Sequence, residues 1–476
     1  MLFSSLEFLY AFLPLTLLSY FVLPLRCRNV VLLIFSLLFY GWSDPPLLLL
    51  MVFTVLMDYT FGHLIHHFRD SSKAKKRVLI LAVAANLALL GFFKYADLLI
   101  ETLRLLPPLS GLRPLGITLP IGISFYTFQA LSYVIDVYRL DAEVQKNPVR
   151  FALYVSLFPQ LIAGPIVRYR DVDAELSVRT HTLSNVANGL VTFTVGLAKK
   201  VLLANAFGEL WKAAYLTPAA EQTVVGAWFG IVLFALQIYF DFSGYSDMAI
   251  GLGRVFGFHF LENFAYPYTA RSVTDFWRRW HISLSTWFRE YVYIPLGGNR
   301  RGKLCTYRNL LVVWALTGIW HGASWNFLLW GLYYFLLLAL EKAFLGKLLE
   351  RIPRVFSHLY AVLAILFGWL IFAFDGSDAM LSFSYGVSYF LRMFGVGGAG
   401  FANALDLYEL LRNGILLLVA VVACLPQPKR LYYRLYERYH GGRMQVLSVV
   451  SAVLLLILCT AYLVDSSFNP FLYFRF

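Results

Sequence analysis

The sequence predicts an all-α protein that crosses a lipid bilayer many times. Of its 476 residues, 59% are hydrophobic and only 14% are charged, whereas soluble domains carry about 25% charged residues. The mean hydropathy is +0.67, and apolar runs long enough to cross a bilayer recur along the whole chain. We therefore expect one membrane domain over residues 1–476, with roughly eleven crossings and additional re-entrant and interfacial helices.

The first quarter of the chain alternates long apolar runs with short polar connections. The next segment, residues 96–106, is predicted to be a separate amphipathic helix at the membrane surface, ended by Pro107-Pro108. The predicted crossings before it are residues 6–25, 30–42, 47–65 and 78–93.

The charges in the connections predict the orientation of the chain. Residues 26–28 are basic, residues 43–46 contain no Lys or Arg, and residues 66–77 hold five bases and one acid. Basic loops remain on the cytoplasmic side, and residues 428–443 follow the same pattern, so both termini are expected outside the cytoplasm. The net charge of +13 is therefore attributed to topology and anionic lipids, not to nucleic acid.

Two segments in the middle of the chain are unusual for membrane spans. Residues 120–138 form a span that carries many polar side chains. Residues 151–167 are interrupted by two prolines, and irregular backbone at membrane depth is tolerated only where protein or water satisfies it. We therefore predict that this second segment is re-entrant or strongly kinked.

The next two predicted spans, residues 190–204 and 224–258, contain charged side chains. In the first, Lys199-Lys200 is expected to extend toward a membrane surface. In the second, Asp241 and Asp247 lie at or near membrane depth. They are either functional carboxylates or caps of helix ends at a break near Gly244. Later spans are predicted at residues 356–374, 414–424 and 446–464.

His321 is the one histidine within a long apolar run, residues 310–340, that contains no Asp, Glu, Lys or Arg. Helical spacing places Thr317 one turn before it and Ser324 one turn after it, which gives a short polar strip. An imidazole in hydrocarbon is costly unless it faces a cavity or a partner. His321 is therefore a candidate functional residue, and the alternative is a histidine that only bonds a neighbouring helix.

A second candidate, His281, lies in residues 266–303, a segment too charged to be an ordinary span. Its spacing from Trp277, Leu284 and Phe288 predicts one apolar face of an amphipathic interfacial helix. Two interpretations remain open. The segment is either a lipid-surface helix or the mouth of a tunnel whose arginines receive an anionic donor. The arginines in question are Arg278, Arg279, Arg300 and Arg301.

No metal site is expected. The four cysteines are far apart and form no C-x-x-C motif. His63, His66 and His67 lie beside a basic loop without a neighbouring Cys or carboxylate that completes a site, so they are interpreted as interfacial residues.

Six sequence motifs, spread over about residues 118–345, carry a resemblance to a known family. The motifs are Gly122-Ile-Ser-Phe-Tyr-Thr-Phe-Gln129, Phe158-Pro-Gln-Leu-Ile-Ala-Gly-Pro165, Asp241-Phe-Ser-Gly-Tyr-Ser-Asp247, Asp275-Phe-Trp-Arg-Arg-Trp-His-Ile-Ser-Leu-Ser285, Tyr293-Ile-Pro-Leu-Gly-Gly298 and Gly318-Ile-Trp-His-Gly-Ala-Ser-Trp325. Together they resemble those of the bacterial membrane-bound O-acyltransferases (MBOAT), in particular the membrane subunits of alginate, polysaccharide and peptidoglycan O-acetylation systems.

The resemblance implies a ring of helices around a central tunnel in the bacterial cytoplasmic (inner) membrane. His321 matches the family's invariant catalytic histidine, and His281 matches a second active-site position that holds His or Asn in different branches. A cytoplasmic thioester, most simply acetyl-CoA, is the implied donor substrate, and no bound cofactor is expected. The implied partners are an extracytoplasmic serine-hydrolase-like acetyltransferase and an envelope or exported polysaccharide, the final acceptor.

The C-terminal aromatic tail, residues 465–476, resembles the end of a small membrane peptide in teichoic-acid D-alanylation, where a terminal tyrosine is implicated as an acyl relay. Tyr473 is therefore a candidate relay, with an aromatic interfacial anchor as the alternative. His321 is expected to act as general base, and His281 to position or polarise the thioester carbonyl. Weaker candidates for the tunnel and for donor binding are Arg278, Arg279, Trp280, Asp241, Ser324 and Asn326.

Besides a scaffold or flippase for polymer export, the sequence leaves two other functions open. The first is D-alanyl transfer from a carrier protein in teichoic-acid modification, which is the nearest alternative within the enzyme class. The second is a transporter, because broken helices and buried carboxylates occur there too; the absence of an internal repeat argues against it.

Overall fold

The computed structural model describes residues 1–42, 45–162, 164–376, 381–438 and 442–465, together with Asn469 and Leu472. Throughout these residues the regular structure is helical, which confirms the predicted all-α class. Tyr473, the candidate relay, lies outside the described residues.

The α-helices are numbered here in chain order. They are α1 (Leu13–Val22), α2 (Arg28–Gly41), α3 (Pro45–His67), α4 (Ser72–Leu103), α5 (Ile123–Arg139), α6 (Pro148–Ser156), α7 (Phe158–Leu161), α8 (Tyr169–Ser177), α9 (Leu183–Ala198), α10 (Asn205–Leu216), α11 (Val224–Val255), α12 (Val273–Trp277), α13 (Ile282–Phe288), α14 (Gly302–His321), α15 (Trp325–Leu340), α16 (Gly346–Arg351), α17 (Arg354–Ala373), α18 (Phe383–Arg392), α19 (Ala404–Arg412), α20 (Gly414–Ala423), α21 (Gln427–Arg438) and α22 (Gly442–Asp465). Short π-helical turns lie at Phe8–Phe12, Lys199–Ala204, Arg289–Tyr293 and Glu341–Leu345.

Seven helices in the described part of the chain are long and apolar enough to cross a membrane, or eight if the bent pair α20 and α21 is one span. They are α3, α4, α9 continued into α10, α11, α15 continued into α16, α17 and α22. The predicted number was roughly eleven. The difference arises because several predicted spans, such as α2 and α5, form helices of only 14 and 17 residues.

The chain divides into an N-terminal unit, Met1–Phe193 with Tyr245–Leu261, and a C-terminal unit, Thr194–Gly244 with Glu262–Phe476. In the N-terminal unit, α2 to α6 pack against one another, and α8 packs on α5 and α6. The predicted interruption of residues 151–167 is confirmed, because the chain leaves the helical conformation at Leu157, between α6 and α7.

One prediction in the N-terminal unit is wrong. Residues 96–106 do not form a separate surface helix, because α4 continues without a break to Leu103. No proline or glycine separates the two predicted pieces. Lys94, at the predicted boundary, is buried and donates a hydrogen bond to Ser124 over 3.4 Å.

The helix break near Gly244, one of the two interpretations left open for Asp241 and Asp247, is absent, since α11 is continuous. The glycine has a different role. A Cβ atom at Gly244 would lie 2.7 Å from the carbonyl oxygen of Gly196, so the residue allows α9 and α11 to approach closely. Asp241 therefore does not cap a helix end.

Two helix boundaries differ from prediction and determine where the candidate histidines lie. The predicted amphipathic helix around His281 is two short helices, α12 and α13, with His281 between them in the left-handed conformation (φ 47°). The predicted helix through His321 ends at that residue. Gly322 is extended, and Ser324 lies at the start of the next helix, α15.

Candidate active site

His321 lies at the turn of a tight hairpin formed by α14 and α15. Two glycines make the hairpin possible, because a Cβ atom on Gly318 would collide with the carbonyl oxygen of Phe327, and one on Gly331 with that of Trp314. The close approach of the two helices places His321 at the end of α14, buried to 6% exposure.

Aromatic rings surround His321. Its ring centroid is 4.9 Å from that of Trp330, 5.1 Å from that of Trp320 and 5.5 Å from that of Phe372, each in an edge-to-face arrangement. An imidazole held in this way has few alternative orientations. The apolar surroundings also exclude bulk water from the ring.

His281 lies in the same unit and is 1% exposed. Its Nδ1 atom is 3.2 Å from Oδ1 of Asn263. Its ring packs edge-on against Phe242, with centroids 4.7 Å apart. Burial lowers the pKa of His281 from its ordinary value of 6.5 to about 3, so the imidazole is neutral at physiological pH.

The two imidazoles share one neighbour. Trp320 contacts His281 at 5.9 Å between centroids as well as His321 at 5.1 Å. The two predicted histidines, which are 40 residues apart in the chain (321 minus 281), therefore both contact one indole ring.

A cavity of about 750 Å³ with charged lining residues lies in the same unit. An aromatic layer leads from its wall to His321, because Trp277 adjoins the lining residue Arg278 in the chain and Trp330 contacts His321. The layer consists of Trp277, Trp314, Trp330 and Tyr334. Trp277 is 4.7 Å from Trp314 and 4.9 Å from Tyr334, and Trp330 contacts His321. The basic side chains that line the cavity are Arg271, Arg278, Lys342 and Arg354, and the acidic ones are Asp275, Glu341 and Glu350.

The two predicted donor-binding arginines have different environments. Arg278 is exposed and lines the cavity. Arg279 instead forms an ion pair with Asp275 over 2.8 Å and donates to Thr269 over 3.4 Å. Only Arg278 of this pair is therefore directed to the cavity.

Glu341 is a residue that the sequence argument missed. Although it lines the cavity, it is only 7% exposed. Its carboxylate accepts hydrogen bonds from the backbone N–H groups of Val273 and Thr274, at 2.7 and 2.8 Å, and from the hydroxyl of Tyr360 at 3.1 Å. It thus caps α12, a helix too short to be stable alone, and so positions the aromatic layer through Trp277.

The three remaining weak candidates, Asn326, Ser324 and Trp280, contact other parts of the protein. Asn326 is buried and donates to the carbonyl of Ile371 over 3.1 Å, which joins α15 to α17. Ser324 accepts from the N–H of Phe327 through its backbone carbonyl. Trp280 packs against Trp369, with centroids 4.8 Å apart.

Asp241 forms a buried ion pair with Lys200, with Nζ and Oδ1 2.6 Å apart and both side chains at most 3% exposed. Lys200 is therefore not directed toward a membrane surface, contrary to the prediction. The other carboxylate oxygen of Asp241 accepts the backbone N–H of Leu472 over 2.9 Å. Asn205 donates to Asn469 over 3.2 Å. Leu472 of the C-terminal tail is thus bound to Asp241, the chain neighbour of Phe242, and Asn469 is bound to Asn205.

The described residues contain no group of three or more His, Cys, Asp or Glu side chains that could hold a metal ion. The groups of the site that can take part in chemistry include its two buried imidazoles and the charged side chains that line the cavity.

Comparison with known proteins agrees with this arrangement. The model of the MBOAT, membrane-bound O-acyltransferase, family matches residues 40–384. The protein named "Probable alginate O-acetylase AlgI" of Azotobacter vinelandii is 44% identical over 381 residues, which cover 79% of this chain and 76% of that protein. The peptidoglycan O-acetyltransferase of Helicobacter pylori is 32% identical over an alignment of 530 residues, covering 100% of this chain and 98% of that protein.

A more distant relative is the teichoic acid D-alanyltransferase of Bacillus subtilis, which is 25% identical over 234 residues, or 47% of this chain and 59% of that protein. The extent of the family match and the sequence identity to the acetylating proteins exclude the transporter alternative. The chain belongs to the membrane-bound O-acyltransferase family and is a multi-pass membrane acyltransferase.

Proposed function

We propose that the protein moves an acetyl group from a cytoplasmic thioester, most simply acetyl-CoA, across the bacterial inner membrane for O-acetylation of an exported or envelope polysaccharide. The names of the two acetylating relatives, which refer to alginate and peptidoglycan, support acetyl as the acyl group. The observation that carries the proposal is the pair of buried imidazoles that both contact Trp320.

Acyl transfer to a hydroxyl needs a group that takes the hydroxyl proton and a group that stabilises charge at the carbonyl oxygen. His321 and His281, which both contact Trp320, are the residues proposed for these roles. Exclusion of water by the surrounding rings protects the thioester from hydrolysis.

The donor is proposed to bind in the 750 Å³ cavity. Four basic side chains suit the phosphates of a CoA or carrier-bound thioester. We propose that residues 341–355 lie on the cytoplasmic side, where such a donor is found, because they hold four bases and two acids. The acyl end then has to pass the aromatic layer to reach the histidines.

Replacing Arg278 with Gln is expected to raise KM for the donor about tenfold, because a hydrogen bond to a charged phosphate contributes about 1.5 kcal/mol. The matched control is Lys347→Gln, since Lys347 is an exposed base on the neighbouring α16 that does not line the cavity. Steady-state kinetics with acetyl-CoA measure both. An unchanged KM in the Arg278 variant would exclude this side chain from donor binding.

We further propose that Tyr473 receives the acetyl group and carries it to the extracytoplasmic partner. The tail contacts of Leu472 with Asp241 and of Asn469 with Asn205 support this role, because Asp241 directly precedes Phe242 in the chain and the ring of Phe242 packs on His281. The predicted topology also places the end of the chain outside.

Replacing Tyr473 with Phe is expected to abolish transfer to the polymer, because the ring remains but the hydroxyl nucleophile is lost. The matched control is Tyr462→Phe, since Tyr462 is exposed near the end of α22. Mass spectrometry of the C-terminal peptide should find an acetyl ester in the wild type only. Normal polymer acetylation by the Tyr473 variant would rule out the relay.

The reaction as a whole is tested with purified protein in proteoliposomes, together with the partner and labelled acetyl-CoA. Label on a protein or polymer hydroxyl is expected. D-alanyl transfer is tested in parallel with a D-alanyl carrier protein. Labelling from that donor alone, and not from acetyl-CoA, would reverse the proposal in favour of the teichoic-acid reaction.

A further inference from the structure

Helix α21 carries most of its charge on one face. It holds four bases and one acid in 12 residues. Arg430, Arg434 and Arg438 are spaced by four positions, so they lie on the same face of the helix, and all three are exposed. Lys429, which lies off this face, pairs with Glu262 over 3.3 Å. Arg430 and Arg434 have no ion-pair partner among the described residues.

Another face of α21 packs on α22. The hydroxyl oxygens of Tyr432 and Ser448 are 2.9 Å apart, and Gln445 donates a hydrogen bond to the hydroxyl of Tyr436 over 3.0 Å. Helix α22 begins at Gly442 and is long and apolar enough to cross a membrane. These contacts therefore hold α21 beside the first turns of a membrane span.

The direction of α21 changes sharply from that of α20, because the two helices meet at an angle of 63°. Membrane-spanning helices are tilted by about 20° from the bilayer normal on average, so a bend of this size turns α21 toward the membrane plane. Leu431 and Tyr433 are exposed beside the arginine face. Exposed apolar, aromatic and basic side chains on one helix are typical of a helix that lies in the headgroup region.

Helices α20, α21 and α22 are loosely packed on the rest of the protein. No residue of α21, which the structure describes in full, is buried. Ala420 is the buried residue of α20, and Met444, Ala452 and Cys459 are the buried residues among the 24 of α22. The exposed apolar surface of a membrane span is covered by lipid, so lipid provides most of the contacts of these three helices.

We infer that α21 binds the phosphate headgroups of anionic phospholipids through Arg430 and Arg434, with Arg438 on the same face, and that this contact holds α20, α21 and α22 in place. Guanidinium groups form paired hydrogen bonds with phosphate oxygens. A lipid headgroup fits better than a free phosphate compound, because apolar side chains flank the arginines and a span adjoins them. The predicted topology puts residues 428–443 on the cytoplasmic side, whose leaflet is negatively charged.

This inference does not depend on the proposed acyl transfer. It concerns the C-terminal tail as well, because α22 leads to Leu472, whose backbone N–H is bound by Asp241 over 2.9 Å. A lipid that holds α21 therefore also restrains the helix from which the tail extends.

The site is tested by hydrogen–deuterium exchange of the full-length protein in phosphatidylcholine nanodiscs with and without phosphatidylglycerol. The anionic lipid is expected to slow the exchange of backbone amides in α21 and in the first turns of α22. Native mass spectrometry of the detergent-solubilised protein, titrated with short-chain phosphatidylglycerol, measures the affinity. Arg430→Gln with Arg434→Gln is expected to weaken binding about 25-fold, because each base near a lipid surface contributes a factor of about five.

Two further double variants separate charge from position. Arg430→Lys with Arg434→Lys keeps both charges and should keep most of the slowing. Lys73→Gln with Arg77→Gln is the matched control, since it removes two exposed bases at the same spacing from the start of α4. This control should leave exchange in α21 unchanged. If it removes the lipid effect as completely as the Gln variants of α21 do, the net charge is responsible and the inference is wrong.

Three other results would overturn the inference. The first is equal exchange in the two kinds of nanodisc, and the second is a full lipid effect in Arg430→Gln with Arg434→Gln. The third is equal slowing in detergent by inorganic phosphate or coenzyme A alone, which would make α21 a general anion site. None of these measurements uses acetyl transfer, so a failure of the proposed reaction leaves them unaffected.

Discussion

Replacing His321 with Gln is expected to reduce acetyl transfer by about 10²–10⁴-fold, the contribution that a positioned acid or base makes to catalysis. Gln keeps most of the volume of the imidazole, so the contacts with Trp330, Trp320 and Phe372 remain filled and the hairpin of α14 and α15 should still form. The variant is measured in proteoliposomes at saturating donor, with folding checked by thermal unfolding in detergent.

The matched control for this variant is His259→Gln. His259 is exposed and its Nδ1 lies 2.6 Å from Glu175 in the N-terminal unit, so its loss should not affect transfer. Wild-type activity in the His321 variant would refute a catalytic role for this residue. Loss of activity together with a collapse of the unfolding temperature would point to a role in packing.

The second large effect is expected at the buried ion pair of Lys200 and Asp241. Asp241→Asn should lower the free energy of unfolding by about 3–5 kcal/mol, because it leaves the ammonium group of Lys200 buried without a counter-charge. The substitution keeps an oxygen that can accept the N–H of Leu472, so the effect isolates the charge. Thermal unfolding in nanodiscs gives the change in stability.

The double variant Lys200→Met with Asp241→Asn should recover most of the lost stability, because neither charge then remains buried. Lys429→Met is the matched control, since Lys429 and Glu262 form an exposed ion pair over 3.3 Å and exposed pairs contribute about 1 kcal/mol or less. If the double variant is no more stable than Asp241→Asn, the burial of unpaired charge is not the cause.

The long apolar helices could be predicted from the sequence because their signal is local. Helices such as α3, α17 and α22 follow continuous apolar runs, and their ends lie within a few residues of the predicted ones. The identity of both histidines as site residues also came from a local signal, an imidazole in an apolar setting. The charge that each carries and the atoms that it contacts are not encoded locally.

The parts that could not be predicted depend on residues that are distant in the chain. The hairpin at His321 requires Gly318 and Gly331 to meet the opposite helix. Asp241 was recognised as unusual, but its partner Lys200 lies 41 positions earlier (241 minus 200). Asn263 has no sequence signal of its own, since its importance comes from reaching His281 across a loop.

The left-handed backbone at His281 restricts which amino acids evolution can place there. A positive φ is unfavourable for most side chains and worst for β-branched ones, whereas Asn and His are among the residues that adopt it most readily. The sequence resemblance implies that this position holds His or Asn in different branches of the family, which would agree with that preference. On this expectation, the shape of the main chain restricts the position as much as its chemistry does, and the loop could exchange an imidazole for an amide without refolding.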